Sequence, residues 1–211
     1  MTLPPFTLYG DAISGNCLKI KWLAQALDLP FTWQSIDIVD GESRTDEFLS
    51  INPFGQVPVV KFDDGTVLTQ SNAIIQYLDS LAGDRFTPQE PLAKARVSEW
   101  LFWEQYSHEP AIAVRRFRHR VLNQLVGDRD TELAERGARA LAHMDRHLAV
   151  QKTNGLEYFV GRAPSIADLA LVAYTRVADE GGFDLLDYPE VHAWVRRIEA
   201  AFSIPPEEGR F

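Results

Sequence analysis

Short apolar runs alternate with segments of helical period over the first eighty residues. Phe6-Thr7-Leu8-Tyr9 is apolar and partly aromatic and stops at Gly10, which predicts a short buried strand. From Gly15 to Leu27 the positions Leu18, Trp22, Leu23, Ala26 and Leu27 recur at helical spacing, and Pro30 closes the pattern. Phe31 to Ile38 alternates as a second strand. Val57 to Phe62 is apolar and β-branched, and Asp63-Asp64-Gly65 turns it into a further strand through Val67 and Leu68. Ser71 to Leu81 predicts a helix with Ile74, Ile75 and Leu78 on one side. Together these make a small α/β layer.

The texture then changes. Gly83 to Pro91 reads as a linker, and beyond it proline and glycine become sparse while long helical patterns take over. Val97, Trp100, Leu101 and Glu104 mark one helix; Leu133, Ala140, Leu141 and Leu148 mark another. Ser165-Ile166-Ala167-Asp168 opens a third, which runs through Leu169, Ala173 and Val177 to Gly181-Gly182. The expected organisation is an α/β domain over residues 1–82, a linker over 83–91 and an all-helical domain over 92–211.

Composition narrows the function classes. The chain has 211 residues, 45% of them hydrophobic, with five Trp and twelve Phe, so it can offset the entropy of ordering and is not a disordered segment. Its single cysteine excludes an intramolecular disulfide and a cysteine-only metal cluster, and suits a reducing compartment. No apolar run approaches the roughly 20 residues of a membrane helix, and the first residues lack the pattern of a signal peptide. A soluble cytoplasmic protein without membrane or metal partners is the expectation. The formal charge is -9, of which -7 falls between Met1 and Pro91. Neither half carries the basic excess of a nucleic-acid binder, and Arg115-Arg116-Phe117-Arg118-His119-Arg120 reads as a solvated helix face.

Four features of the first domain carry candidate chemistry. Ser14-Gly15-Asn16-Cys17 lies between the first strand and first helix, where free backbone N–H groups favour an anion. Its spacing copies a Cys-x-x-Cys redox pair with serine in place of the first thiol, so Ser14 reads either as a helix cap or as a donor to a thiolate brought by a ligand. Cys17 reads as a small buried residue rather than a nucleophile. Asn52-Pro53-Phe54-Gly55-Gln56-Val57-Pro58 enters the hairpin, and a cis Val57–Pro58 bond there would turn the Val57 backbone outward for pairing with a peptide. Gln70-Ser71-Asn72 starts a helix, with Ser71 as its expected N-cap and a carboxylate as a suitable guest. Arg44 stands alone among Asp40, Glu42, Asp46 and Glu47, as a surface ion pair or an anion contact.

In this order, Ser-Gly-Asn-Cys, Asn-Pro-Phe-Gly-Gln-Val-Pro, Gln-Ser-Asn-Ala-Ile-Ile-Gln-Tyr-Leu and Ser165-Ile-Ala-Asp168 resemble the glutathione S-transferase superfamily over nearly the whole chain. The resemblance implies a thioredoxin-like N-terminal domain, an all-α C-terminal domain, and a homodimer. It implies glutathione as co-substrate. Ser14 matches the activating hydroxyl of serine-type members such as the Phi and Theta classes, and Asn16 fits the Ser/Thr-x-Asn arrangement of bacterial, Nu-like members that act mainly on glutathione disulfides. Tyr9, roughly where tyrosine-type classes carry their hydroxyl, ranks third. Val57, before Pro58, matches the residue pairing with the cysteinyl backbone; Gln70 and Ser71 match the pair holding the γ-glutamyl end; Arg44, with help from Gln56, matches the glycyl-carboxylate contact. Many members carry Glu where Gln70 stands, and a histidine where Ser43 stands.

The implied chemistry is thiol activation. A thiol of ordinary pKa, about 8.5, is only a few per cent ionised at neutral pH, and a hydroxyl donor with helix N–H groups favours the thiolate. That thiolate attacks an electrophilic carbon or a disulfide. Tyr106, His108, Arg115 and Phe117 are candidates for lining the electrophile pocket, with His108-Glu109-Pro110 expected to end or kink the first long helix. Trp100 and Trp103 read as core. The leading reading is a glutathione transferase; a glutathione-dependent disulfide reductase or peroxidase and a non-catalytic ligand-binding member are the alternatives.

Overall fold

A computed structural model describes residues 4–211, which divide into two compact units, one ending at Arg85 and the other beginning at Phe86.

In the first unit, β1 (Phe6–Gly10) leads to α1 (Gly15–Ala26) and β2 (Phe31–Ser35). A 3-10 turn at Glu42–Arg44 and the short α2 (Asp46–Ile51) precede the hairpin of β3 (Val59–Phe62) and β4 (Val67–Thr69), and α3 (Ser71–Leu81) closes the unit. The strand order is β2-β1-β3-β4, with β1 parallel to β2 and antiparallel to β3, and β3 antiparallel to β4. One face of the sheet, with Leu8 and Val60 fully buried, packs beneath α1 and α3, whose Ile20, Leu23, Ile74 and Ile75 are also wholly buried. Each such side chain contributes roughly 1.5–3 kcal/mol relative to exposure. The other face carries Tyr9, Val57, Val59 and Val67 against Ile36, Phe48 and Ile51.

Two strands are shorter than their apolar runs. The alternation to Ile38 outlasts β2 because Ile38 donates to the Asp11 carboxylate (3.0 Å), while Asp37 Oδ1 accepts from Val39 and Asp40 and turns the chain. β3 starts at Val59 rather than Val57, since Pro58 has no N–H for the ladder; the Val57–Pro58 bond is cis, as expected. Gly10 must be glycine: a Cβ there would stand 2.9 Å from both Cys17 Cβ and the Trp33 ring.

The second unit is helical: α4 (Pro91–Trp103), α5 (Glu109–Arg120), α6 (Asp128–Thr153), α7 (Ile166–Thr175) and α8 (Pro189–Ala201). Pro110 does not end the first helix there. A π-helical turn at Glu104–His108 carries the chain from α4 into α5, re-routing the backbone where a proline would break the regular bonding. All ten residues of α7 are buried, as befits a central helix. Its start is the expected capping box: Asp168 accepts from the Ser165 amide (2.9 Å) and hydroxyl (2.7 Å), and also from Phe159 N (3.0 Å) and Trp194 Nε1 (2.9 Å). No helix among the described residues is long and apolar enough to cross a membrane.

Candidate functional site

The strand register brings the candidate residues of the first unit to one edge of the sheet. Gln34, Tyr9, Val59 and Thr69 form a row across the four strands. Just beyond it run the loop from Gly10 to Ser14, the Val57–Pro58 step and the Gln70–Ser71 start of α3. Segments far apart in sequence thus leave the sheet at the same end.

Ser14 is the N-cap of α1, but its side chain makes no capping bond; only its carbonyl accepts from the amides of Cys17 and Leu18 (both 3.0 Å). The loop before it is fixed by Asp11, whose Oδ1 accepts from Ile13 N and Oδ2 from Ile38 N, both at 3.0 Å. The Ser14 hydroxyl lies against the thiol of Cys17, which is wholly buried. Burial pushes that thiol up to about 12, with Ser14 and the Asp11 backbone pulling weakly the other way. Cys17 is therefore un-ionised at neutral pH, a packing residue and not a nucleophile.

Across from it, Ser71 is the first residue of α3 and not its cap, which corrects the sequence expectation. Gln70 occupies the cap position, exposed and with φ 69°, ψ 107°, a conformation that L-residues rarely adopt. The buried Ser71 hydroxyl turns sideways instead and donates to Asn16 Oδ1 (3.0 Å). One turn further along α1, Lys19 Nζ donates to Asn72 Oδ1 (2.7 Å). These two rungs join the first turns of α1 and α3, and the first fixes the Asn16 amide with its oxygen toward Ser71 and its NH2 the other way.

The remaining side is built around Asn52, which sequence reading quoted without assigning it work. Its Nδ2 donates to Gln56 O (2.7 Å) and its Oδ1 accepts from Phe54 N (3.2 Å), so a buried amide shapes the turn that delivers Gln56 and Val57. Gly55 sits at φ 61°, and a Cβ on it would meet Arg44 Nη1 at 2.6 Å. Arg44, exposed, donates from Nη1 to Phe54 O (3.2 Å), so it leans on this loop. Gln56 is exposed, and Val57 packs its side chain into the Ile36–Phe48–Val59 cluster while its backbone lies outside the ladder. Tyr9 belongs to that same cluster and lines a cavity of about 370 Å³ with Gln34, Glu42 and Phe48. Strand alternation thus puts its ring on the sheet face away from α1.

The electrostatics single out two helices. α2, α5, α6, α7 and α8 each carry Asp or Glu in their first turn, and α4 is capped by Glu90, which accepts from Leu92 N and Ala93 N. Among the described residues, α1 and α3 alone have neither a first-turn carboxylate nor a capping side-chain bond. Their positive poles meet at the Asn16–Ser71 contact, with no carboxylate in the first turn of either.

In the helical unit the four proposed pocket residues are not gathered together. Tyr106 is 84% exposed and borders a cavity of about 280 Å³ with Trp103, Ser107 and Arg139. His108 is fully buried, its Nε2 2.9 Å from Thr175 Oγ1. Arg115 donates to Gly181 O and to Asp130 Oδ2 (3.1 Å) and lies over the Phe183 ring, so internal groups occupy its guanidinium. Phe117 is half-buried in α5. A cavity of about 600 Å³ in this unit is lined instead by Trp100, Trp103, His143, His147 and Phe159, none of which was a pocket candidate. Trp100 is core as expected, edge-on to Phe159 (4.5 Å) and His147 (4.7 Å), whereas Trp103 is half-exposed.

Comparison with known proteins gives a consistent picture. Residues 13–81 match the family described as "Glutathione S-transferase, N-terminal domain", and residues 113–201 match its C-terminal domain. A solved glutathione S-transferase from Xanthobacter autotrophicus Py2 is 44% identical, with a TM-score of 0.85 over 92% of this chain and 93% of its own. Mouse glutathione S-transferase theta-1 is 31% identical over 92% of this chain and 82% of its own. Protein URE2 of Meyerozyma guilliermondii is 29% identical over 90% of this chain and 75% of its own.

Proposed function

The chain belongs to the glutathione S-transferase superfamily, and from that premise we propose that it binds glutathione at the α1–α3 edge of the first unit and activates its thiol for attack on small electrophiles. The observation that carries this reading is the pair of uncapped, acid-free helix starts at Ser14 and Gln70, tied together by the Asn16–Ser71 hydrogen bond. Glutathione brings two carboxylates and a thiol. The γ-glutamyl carboxylate meets the first amides of α3, with Gln70 giving a neutral hydrogen bond to the ammonium beside it. The cysteinyl backbone pairs with Val57, and the glycyl carboxylate meets Arg44. Ser14, whose hydroxyl is not spent on capping, donates to the thiolate. The thiolate lone pair then forms the new C–S bond as the leaving group departs with its electrons.

The fixed orientation of the Asn16 amide favours a second reading, in which Asn16 holds the sulfur and the reaction is thiol–disulfide exchange on a glutathione disulfide. A third, ligand binding without turnover, keeps the same site. The resemblance to both theta-1 transferase and Protein URE2 supports the shared fold and leaves the reaction to the site itself. We also assign the chain a homodimeric state, which sedimentation reads directly.

Calorimetric titration with glutathione, followed by assays of the parent chain, Ser14→Ala and Asn16→Ala on an aryl halide and a glutathione disulfide, separates the three. Loss of aryl-halide turnover in Ser14→Ala supports the transferase. Loss of disulfide turnover confined to Asn16→Ala supports the reductase. Binding with neither activity in the parent leaves the ligand-binding reading.

A further inference from the structure

Lys19 is wholly buried in α1, with its ammonium 2.7 Å from Asn72 Oδ1. A lysine near a helix N-terminus ordinarily runs its stem to the surface and keeps its charge in water. Lys21, two residues on, is half-buried and sets its ammonium 6.0 Å from the Trp33 ring centroid. Burying an ammonium is expensive, and placing it at the first turn of α3 sets it beside a second positive pole. The sequence nevertheless puts it one turn below Asn16, on the rung next to Asn16–Ser71. Three positive elements, the starts of α1 and α3 and this ammonium, thus converge on the edge where the ligand thiol is assigned.

Resting on the glutathione reading above, we infer that Lys19 is a positioning residue whose buried charge favours the thiolate of bound glutathione while its hydrogen bond to Asn72 ties α3 to α1. The field of Lys19 already reaches the first turn of α1: it favours the charged form of Cys17, although Asp11 opposes it there more strongly and burial outweighs both. The other charged group buried in α3, Asp79, lies about two turns beyond Asn72. A thiolate bound at Ser14 escapes the burial that dominates at Cys17, so the field of Lys19, though more screened by solvent there, is not overridden by desolvation.

The test is an ultraviolet difference titration of the thiolate in the glutathione complex of the full chain. Lys19→Gln keeps a donor for Asn72 without the charge, and Lys19→Arg keeps the charge. Lys19→Gln is expected to raise the bound thiol's pKa by about one unit, close to tenfold less thiolate at a given pH below it. Lys19→Arg is expected to restore most of the parental value. Asn72→Asp, which leaves Lys19 in place and neutralises its field, is expected to raise the pKa as well and serves if Lys19→Gln does not fold. Affinity for S-methylglutathione, which has the same carboxylates and no thiol, is expected to stay within about twofold in Lys19→Gln. A parental thiol pKa in Lys19→Gln or in Asn72→Asp overturns the assignment to charge. So does an equal loss of affinity for glutathione and S-methylglutathione, which would make Lys19 a contact for the peptide. A parent chain that binds neither ligand overturns the glutathione reading itself.

Discussion

Among the described residues two helices of this protein have serine at the cap position, and the chain treats them in opposite ways. At α7, Ser165 and Asp168 close the terminus: one buried carboxylate takes the Ser165 amide and hydroxyl, the Phe159 amide and the Trp194 indole. At α1, Ser14 holds the cap position and caps nothing with its side chain, and no acid follows in the first turn. The α7 terminus serves stability, since its donors are consumed and no water or ligand is needed. The α1 terminus carries neither a side-chain cap nor a first-turn acid, so its dipole lacks the carboxylate that closes α7. Where a folded chain leaves a helix end open while closing the others is thus a guide to where it binds.

The largest expected effect breaks the closed end. Asp168→Ala strands four buried donors and should lower unfolding stability by about 3–5 kcal/mol, read from the denaturant midpoint. A loss below about 1 kcal/mol would mean that water or relaxation can replace the carboxylate. At the open end the balance reverses. Ser14→Ala should leave stability within about 0.5 kcal/mol, because no cap is lost, while lowering turnover with glutathione about a hundredfold. A large stability loss without a change in turnover would equate the two serines.

Gln70 sharpens the contrast at α3. Replacing it by glycine removes a side chain from a φ of 69° and should raise stability by about 1 kcal/mol, while weakening glutathione binding in calorimetry. A variant that gains stability without losing affinity would show the strain to be unconnected with binding. The smallest effect concerns another closed end. Asp130, in the first turn of α6, is pushed up by burial, but Arg115 and His119 outweigh this and hold its carboxyl below the usual range. A carboxyl depressed in the folded state contributes stability above its unfolded value of about 3.9, and loses it as pH falls through the folded one. Asp130→Asn should therefore flatten the acid limb of the stability profile below about pH 4 and change its slope little near neutrality.

Much of this was legible in the sequence because it is local. The α3 boundaries at Ser71 and Leu81, the Ser165–Asp168 box and the Val57–Pro58 step follow from spacing over a few residues. What escaped is what local grammar cannot hold. Ser71 reads as a cap until its hydroxyl finds Asn16, 55 positions away in sequence, and nothing local in the sequence marks Lys19, whose partner Asn72 is 53 positions away. His108 and Arg115 looked available beside a proline, yet Thr175, Asp130 and Gly181, all distant in the chain, take them inward.

The lone thiol offers a final consequence. Because Cys17 is sealed beneath the first turn of α1 and un-ionised at neutral pH, an alkylating reagent can reach it only when that helix start comes away from the sheet. Its labelling rate in the unmodified chain is therefore a built-in clock for opening of the α1 start. Slower labelling on adding glutathione would measure, without any reporter being introduced, how much the ligand holds that start shut.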